Sequence, residues 1–111
     1  IRQEARQETL ALHKGSASEP YRYFPLGKGK TDRHMEPFFI EIEPGSQKES
    51  SSHEGEEFLA VISGELEFTY GDQRHQLKAG DSVYYNSIVP HAVGALGDTK
   101  AELYAVVFMP F

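Results

Sequence analysis

Residues 45–64, GSQKESSSHEGEEFLAVISG, decide the fold of this chain. A polar loop passes here into an apolar run, with His53 and Glu57 placed where the loop becomes a strand. Much later the chain supplies a third residue with the same coordinating chemistry, His91, in SIVPHAVG. Imidazole and carboxylate groups suit first-row transition metals. We therefore expect a β fold that brings these residues together as a metal site with open positions.

Composition limits the class of protein. The chain has 111 residues and no cysteine, which suits one domain without disulfides or thiolate metal sites. Its net charge is −6 and it has no cluster of Lys and Arg, so we expect no direct contact with nucleic acid. No apolar run approaches the roughly 20 residues of a membrane helix. The charged start IRQEARQETL lacks the apolar core of a signal peptide, and we expect a cytoplasmic protein.

Short strands separated by turns follow a polar leader or linker at residues 1–8. Residues 65–70, ELEFTY, alternate strictly, which puts Leu66, Phe68 and Tyr70 on one face. Gly71 and Asp72 then turn the chain back into a hairpin. This pattern predicts one all-β domain over residues 9–111, an antiparallel sandwich or small barrel. Strands are predicted at residues 9–14, 21–26, 38–43, 57–62, 65–70, 73–77, 82–85, 89–94 and 101–109.

The motif in residues 45–64 resembles the first motif of the cupin superfamily. That motif runs Gly, five residues, His, one residue, His, three residues, Glu, six residues, Gly. Gly45, His53, Glu57 and Gly64 fall on it at the right spacing. Ser51 stands in the place of the first His.

The second cupin motif is matched less completely. Gly80 and His91 fall on its Gly and His, whereas Asn86, Ile88 and Ala95 stand in its Pro, Gly and Asn places. Together the two motifs imply an antiparallel double-stranded β-helix, the jelly-roll barrel of cupins. Cupins include isomerases, oxygenases, storage proteins and sensors, so the resemblance is specific for the fold and much less so for the activity.

The resemblance implies that His53, Glu57 and His91 are metal ligands. Two His and one carboxylate with open positions is the set typical of non-haem Fe(II), and Zn, Mn and Ni also fit it. A serine hydroxyl is a poor ligand for these ions. Ser51 therefore implies either an open three-ligand site or a pocket that has lost its metal and simply binds a small molecule.

Other polar and aromatic residues have plainer interpretations. A single His on a strand is more often a core or surface residue than a ligand. We therefore place His13, His34 and His75 at the surface. The alternative for His34, which precedes a strand, is the mouth of the pocket. Glu54 and Glu56 are expected to face solvent. Tyr84, Tyr85 and Tyr104 either line the pocket or belong to the core and the sheet surface.

Two functions compete at this point. The aromatic segment from residue 21, together with HEGEEF and the His91 segment, looks like the effector domain of bacterial regulators in which a helix-turn-helix domain precedes a cupin. That resemblance implies a sensory domain that binds a small molecule, forms a homodimer and biases a DNA-binding domain absent from this sequence. The alternative is a metal-dependent enzyme of the oxygenase, epoxidase or isomerase type. A free-standing small cupin is a third interpretation.

Overall fold

The structure is a computed structural model and describes residues 1–7, 20–46 and 49–108. The predicted strand at residues 9–14 and His13 lie outside the described residues. A 3-10 turn at Gln3–Ala5 belongs to the leader, and β-strands dominate the rest. The strands are β1 (Tyr21–Pro25), β2 (Met35–Ile42), β3 (Glu56–Ser63), β4 (Glu65–Tyr70), β5 (Gln73–Lys78), β6 (Ser82–Asn86), β7 (His91–Leu96) and β8 (Ala101–Phe108).

The strands form two antiparallel sheets. The larger sheet has the order β1-β2-β8-β3-β6 and the smaller one the order β5-β4-β7. All the strand pairs within these sheets are antiparallel. The predicted all-β jelly roll is confirmed, and β1, which ends at Pro25, lies at the edge of the larger sheet, where proline is tolerated.

The core fills the space between the two sheets. Leu66 and Phe68 of β4 are almost fully buried, which confirms the face predicted from the alternation in ELEFTY. They pack with inward side chains of the larger sheet, among them Ile42, Val61 and Leu103. Because strand side chains alternate, one face of each sheet forms this core while the other faces outward.

Gly64 is where the chain crosses from the larger sheet into the smaller one. Its φ is +78°, and a Cβ atom there would lie 2.5 Å from the carbonyl oxygen of Lys100 and 2.8 Å from Cα of Ala101. The last glycine of the first motif is therefore required both by backbone conformation and by close approach of β8.

The predicted boundaries hold to within a few residues. The strand expected to begin at residue 89 begins at His91 instead. Val89 donates its N–H to the carbonyl of Asn86 in a turn. Pro90 has no N–H to give to a ladder, so pairing starts one residue later.

The two free edges of the smaller sheet differ. Along β7, Ser51 and His91 exchange both of their backbone hydrogen bonds, and Ala95 donates to the carbonyl of Ser46. The Tyr21 hydroxyl donates to the carbonyl of Val93 at 2.5 Å, which ties β1 to the same edge. We call this side the closed seam. Along β5, by contrast, a groove separates the edge from β6, and we call that side the open seam.

The leader packs on the outward face of the larger sheet. The Arg6 guanidinium lies 4.2 Å from the ring centroid of Phe39, and its terminal nitrogen donates to the Tyr104 hydroxyl at 2.7 Å. Lys28 donates to the side chain of Gln7 at 2.9 Å. Among the described residues, no helix is long and apolar enough to cross a membrane.

Candidate metal centre

The fold brings the predicted triad together inside the sandwich. His53 lies in the loop before β3, Glu57 is the second residue of β3, and His91 opens β7 in the opposite sheet. One potential ligand atom from each lies within 4.8 Å of the others. His91 and Glu57 have side chains 6% and 12% exposed, while that of His53 is 37% exposed. The cluster is therefore buried on one side and reaches solvent at His53.

Backbone hydrogen bonds hold the loop that carries His53. The N–H of His53 donates to the carbonyl of Ser87 at 3.0 Å, and Ser87 donates to the carbonyl of Gly55 at 2.9 Å. Gly55 has a φ of +113°, a conformation that favours glycine. The turn between β6 and β7 thus fixes the position of His53 opposite the start of β7.

Both imidazoles are oriented through Nδ1. His91 Nδ1 lies 2.8 Å from the carbonyl oxygen of Val89, and His53 Nδ1 lies 3.2 Å from that of Glu54. A carbonyl oxygen only accepts, so both Nδ1 atoms must carry the proton. Each Nε2 then faces Glu57, to which it donates when protonated and beside which its lone pair can bind a metal ion when neutral. Such a bond from the second ring nitrogen is the usual way in which proteins orient a metal-binding histidine.

The two Nε2 atoms converge on one carboxylate oxygen. The distance from Glu57 Oε2 to His53 Nε2 is 2.7 Å, and that to His91 Nε2 is 3.5 Å. Neutral imidazole nitrogens and an ionised carboxylate oxygen all offer lone pairs, and they repel one another at this separation. A proton or a cation between them removes the repulsion. The donor set therefore fits a divalent first-row metal ion.

Tyr85 is a further member of the site. It lies directly across from Glu57 in the pairing of β3 with β6, and its hydroxyl donates to Glu57 Oε1. Its ring is 5.0 Å from that of His91 and 4.8 Å from that of Phe68. Tyr85 thus occupies one carboxylate oxygen and leaves Oε2 directed at the imidazoles.

The protonation of the cluster follows from these contacts. Burial raises the pKa of the Glu57 carboxyl, but hydrogen bonds from His91 and Tyr85 and the nearby imidazole charges outweigh it, and the net pKa is lowered. Burial lowers the pKa of His91, whereas its bonds to Glu57 and the Val89 carbonyl raise it above the usual value. Burial and the Glu57 carboxylate raise the pKa of Tyr85, which stays protonated and continues to donate.

Ser51 stays next to the site although it brings no imidazole. It forms an isolated β-bridge with His91, and the residue is exposed. The Ser51 backbone is therefore paired with that of a triad residue, while its side chain offers only a hydroxyl.

The remaining candidates from the sequence lie elsewhere. His34, His75 and Glu54 are exposed, as expected, whereas Glu56 is half-buried and accepts a hydrogen bond from Tyr84. Tyr84 and Tyr104 lie on the outward face of the larger sheet, so of the three tyrosines considered for the pocket only Tyr85 reaches the triad. The signal that could have found Tyr85 is the register of β3 against β6, which the sequence does not state.

Fold and site together define a class of protein, a jelly roll with two histidines and one glutamate converging between its sheets. The chain belongs to the cupin family, because the Cupin_2 family profile, described as a cupin domain, matches residues 38–107.

Two kinds of curated protein are similar in sequence to this chain. The (S)-2-hydroxypropylphosphonic acid epoxidase of Streptomyces wedmorensis is 33% identical over 96 residues, covering 79% of this chain and 48% of the epoxidase. The HTH-type transcriptional regulator PuuR of Escherichia coli is 34% identical over 80 residues, covering 71% of this chain and 42% of the regulator. The chain thus spans about half the length of the curated relatives it matches.

Solved structures fall into the same two groups. The cupin domain of an XRE family transcriptional regulator from Enterobacter cloacae superposes with a TM-score of 0.76 at 25% identity, covering 84% of this chain and 100% of that domain. The Fe(II) form of the epoxidase gives a TM-score of 0.80 at 29% identity, covering 97% of this chain and 58% of the enzyme. The chain is therefore related both to the cupin domains of regulators and to an Fe(II) cupin enzyme.

Proposed function

We propose that this chain is a small-molecule-binding, metal-assisted sensory domain of a bacterial transcriptional regulator. The observation that carries the proposal is the convergence of His53, Glu57 and His91 on one point between the sheets. Three protein donors leave positions for a ligand on the same ion. With serine in place of the first motif histidine, a small molecule with an oxygen or nitrogen donor gains room beside His91.

The regulatory role is supported by the relatives. PuuR and the Enterobacter cloacae protein are transcriptional regulators, and the latter's isolated cupin domain is covered completely. In this proposal a DNA-binding domain joined to the leader contacts DNA in the cytoplasm. The barrel, in a chain of net charge −6, contacts the small molecule instead. The leader at residues 1–8 is the linker, and residues 9–111 are the cupin barrel.

Metal analysis tests the triad directly. After reconstitution with Fe(II) without oxygen, or with Zn, Mn or Ni, we expect about one ion per chain. His53→Ala or His91→Ala is expected to abolish binding while circular dichroism still shows the folded barrel. His34→Ala and His75→Ala are matched controls, because each removes an exposed imidazole outside the triad. Metal binding by His91→Ala equal to that of the parent would show that the proposed ligands are wrong.

An enzyme is the second candidate function. The observation in its favour is the two-His, one-Glu set together with similarity to a protein solved with Fe(II). An ion with open positions would supply Lewis-acid or redox chemistry there. Tyr85 would orient Glu57, and the buried wall around His91 would keep water from that side.

Turnover distinguishes the two functions. The Fe(II)-loaded protein is incubated with (S)-2-hydroxypropylphosphonic acid and either dioxygen or hydrogen peroxide, because conversion of an alcohol to an epoxide is an oxidation. The sensory proposal expects no product above the His53→Ala control. Catalytic formation of the epoxide, abolished in His53→Ala, would replace the sensory role by the enzymatic one.

A homodimer through the outward face of the larger sheet completes the proposal. Phe58 is 40% exposed there and pairs directly with Val106 on one side and Tyr84 on the other. Contiguous apolar residues on a sheet surface are typical of protein interfaces. Light scattering should give twice the mass of one chain, and Phe58→Glu should yield monomers. A monomeric parent at micromolar concentration would refute the dimer.

A further inference from the structure

The open seam is a groove between the free edge of β5 and the free edge of β6, with a volume of about 730 Å³. Small-molecule sites in proteins enclose about 300–1,000 Å³. Tyr85 forms part of its wall, but His53, Glu57 and His91 do not line it. The triad residues are therefore not part of the groove lining, and Tyr85 contacts both regions.

Aromatic rings form the floor of the groove. The ring of Phe68 lies 5.9 Å from that of Tyr70 and 6.4 Å from that of His75, with interplanar angles of only 19° and 28°. Tyr85 tilts against the same ring at 4.8 Å. Phe68 is buried beneath these rings, and the partly buried Tyr70 and the exposed His75 can stack with a further flat ring. The shape and chemistry of the floor suit a planar aromatic ligand.

The rim of the groove favours an anion. The whole chain has 17 acidic and 11 basic residues, yet the described residues that line the groove include Arg74 and His75 and no carboxylate. Arg74 makes no ion pair with any described residue, whereas Arg22, Arg33 and Lys100 each pair with a carboxylate. A guanidinium that pairs with no described carboxylate, at the mouth of a groove with aromatic walls, is suited to a ligand carboxylate.

The bordering strands add hydrogen-bond donors. Among the described residues, both β5 and β6 lie at the ends of their sheets, so each has one edge whose backbone N–H groups pair with no other described strand. Asn86 and Gln76 extend the polar rim. A carboxylate held by Arg74 can also accept hydrogen bonds from these groups while the ligand ring lies against Tyr70 and His75.

We propose that the open seam is a second binding site, one for a small aromatic carboxylate, with the ring against Tyr70 and His75 and the anion at Arg74. This site goes beyond the metal-assisted role and does not depend on a bound ion. Its position against Tyr85 places the ligand beside the residue that orients Glu57.

Calorimetric titration with 2-naphthoate tests the site in the metal-free protein. We expect saturable binding of one molecule per chain, and binding of 2-naphthamide, the uncharged analogue, that is about tenfold weaker, the usual effect of losing one charge-assisted hydrogen bond. Amide NMR shifts should be concentrated at residues 73–77 and 82–86. No saturable binding, equal affinity for the two compounds, or shifts confined to other strands would overturn the proposal.

Variants assign the interaction to the groove. Arg74→Gln is expected to weaken 2-naphthoate about tenfold and to leave 2-naphthamide unchanged. Lys78→Gln is the matched control, since it removes a cation from the same strand outside the groove lining, and it should bind like the parent. Val83→Phe, which fills the groove from β6, should abolish binding of both compounds while the melting transition persists. An Arg74→Gln variant that binds 2-naphthoate like the parent would refute the site.

One further variant separates this proposal from the metal-assisted role. His53→Ala removes a triad residue that does not line the groove, and it should retain 2-naphthoate binding. Failure of the chain to bind metal would then refute the proposed function alone, whereas loss of 2-naphthoate binding in His53→Ala would count against a separate groove.

Discussion

The closed and open seams are the two free edges of one three-stranded sheet, and they differ in what covers them. On β7, His91, Val93 and Ala95 each form a hydrogen bond with a neighbouring segment, which holds the first residue of that strand in place for the triad. On β5 the neighbouring strand stands away across a groove. One edge of the sheet, β7, is therefore held by neighbouring segments where it positions a triad residue. The other edge, β5, remains accessible.

The largest effect is expected at the floor of the open seam. Phe68→Ala should lower the free energy of unfolding by about 3–5 kcal/mol, because it deletes a side chain that is only 2% exposed. Urea denaturation measures this change. Ile88→Ala, in the turn before β7 and 58% exposed, should cost less than about 1 kcal/mol. Equal losses in the two variants would show that the floor is not part of the core.

Gly64, where the chain crosses between the two sheets, is the position at which we expect the next largest loss of stability. Gly64→Ala should cost at least about 2 kcal/mol, because it combines a positive φ with a clash against β8. Gly80→Ala is the control, since Gly80 has a φ of +95° but a Cβ atom added there would meet nothing within 4 Å, and about 1 kcal/mol is expected. Thermal melts compare the two variants. An equal decrease in melting temperature would show that close approach of β8 adds no cost at Gly64.

Tyr85 connects the open seam with the triad, and its hydroxyl can be removed without changing the ring. Tyr85→Phe should weaken metal binding about 10- to 100-fold, the usual effect of losing a group that orients a ligand. Tyr84→Phe is the control on the same strand, since it also loses a bond to a carboxylate, that of Glu56, but on the outward face. Competition with a chelator measures both affinities, and identical values would show that Tyr85 does not orient Glu57.

The smallest effect is expected at the closed seam. Tyr21→Phe should cost about 1 kcal/mol, the net value of one hydrogen bond, and should speed hydrogen exchange at the Ala95 amide on the same edge. Tyr104→Phe, which loses only an exposed bond to Arg6, should leave that amide unchanged. Unaltered exchange in Tyr21→Phe would mean that the backbone bonds alone close this seam.

The fold and two of the three triad residues were accessible from sequence because they depend on local spacing. Three residues, with Gly55 in the middle, separate His53 from Glu57, as in the first cupin motif. The burial of Phe68 follows from the alternation of side chains within one strand. The resemblance added His91, which comes from the opposite sheet. Whether these three residues hold a metal stays a prediction, as does the homodimer.

Features that depend on pairing between distant strands were not accessible. Tyr85 meets Glu57 because β6 pairs with β3 in one register, and a shift by one residue would have turned Tyr84 inward instead. The groove exists because β5 and β6 end their respective sheets without pairing, which is a property of topology. Likewise, nothing in the leader's composition places Arg6 on the ring of Phe39.

The hydrogen bond from Tyr85 to Glu57 has an optical consequence. The chain has six tyrosines and no tryptophan, so its intrinsic emission comes from phenol rings alone. A phenol bonded to a carboxylate emits weakly, because its proton moves toward the acceptor in the excited state. Tyr84 and Tyr85 are in that situation, on opposite faces of one strand. Any event that breaks the hydrogen bond between Tyr85 and Glu57 therefore increases the intrinsic tyrosine fluorescence, which can be followed without an added dye.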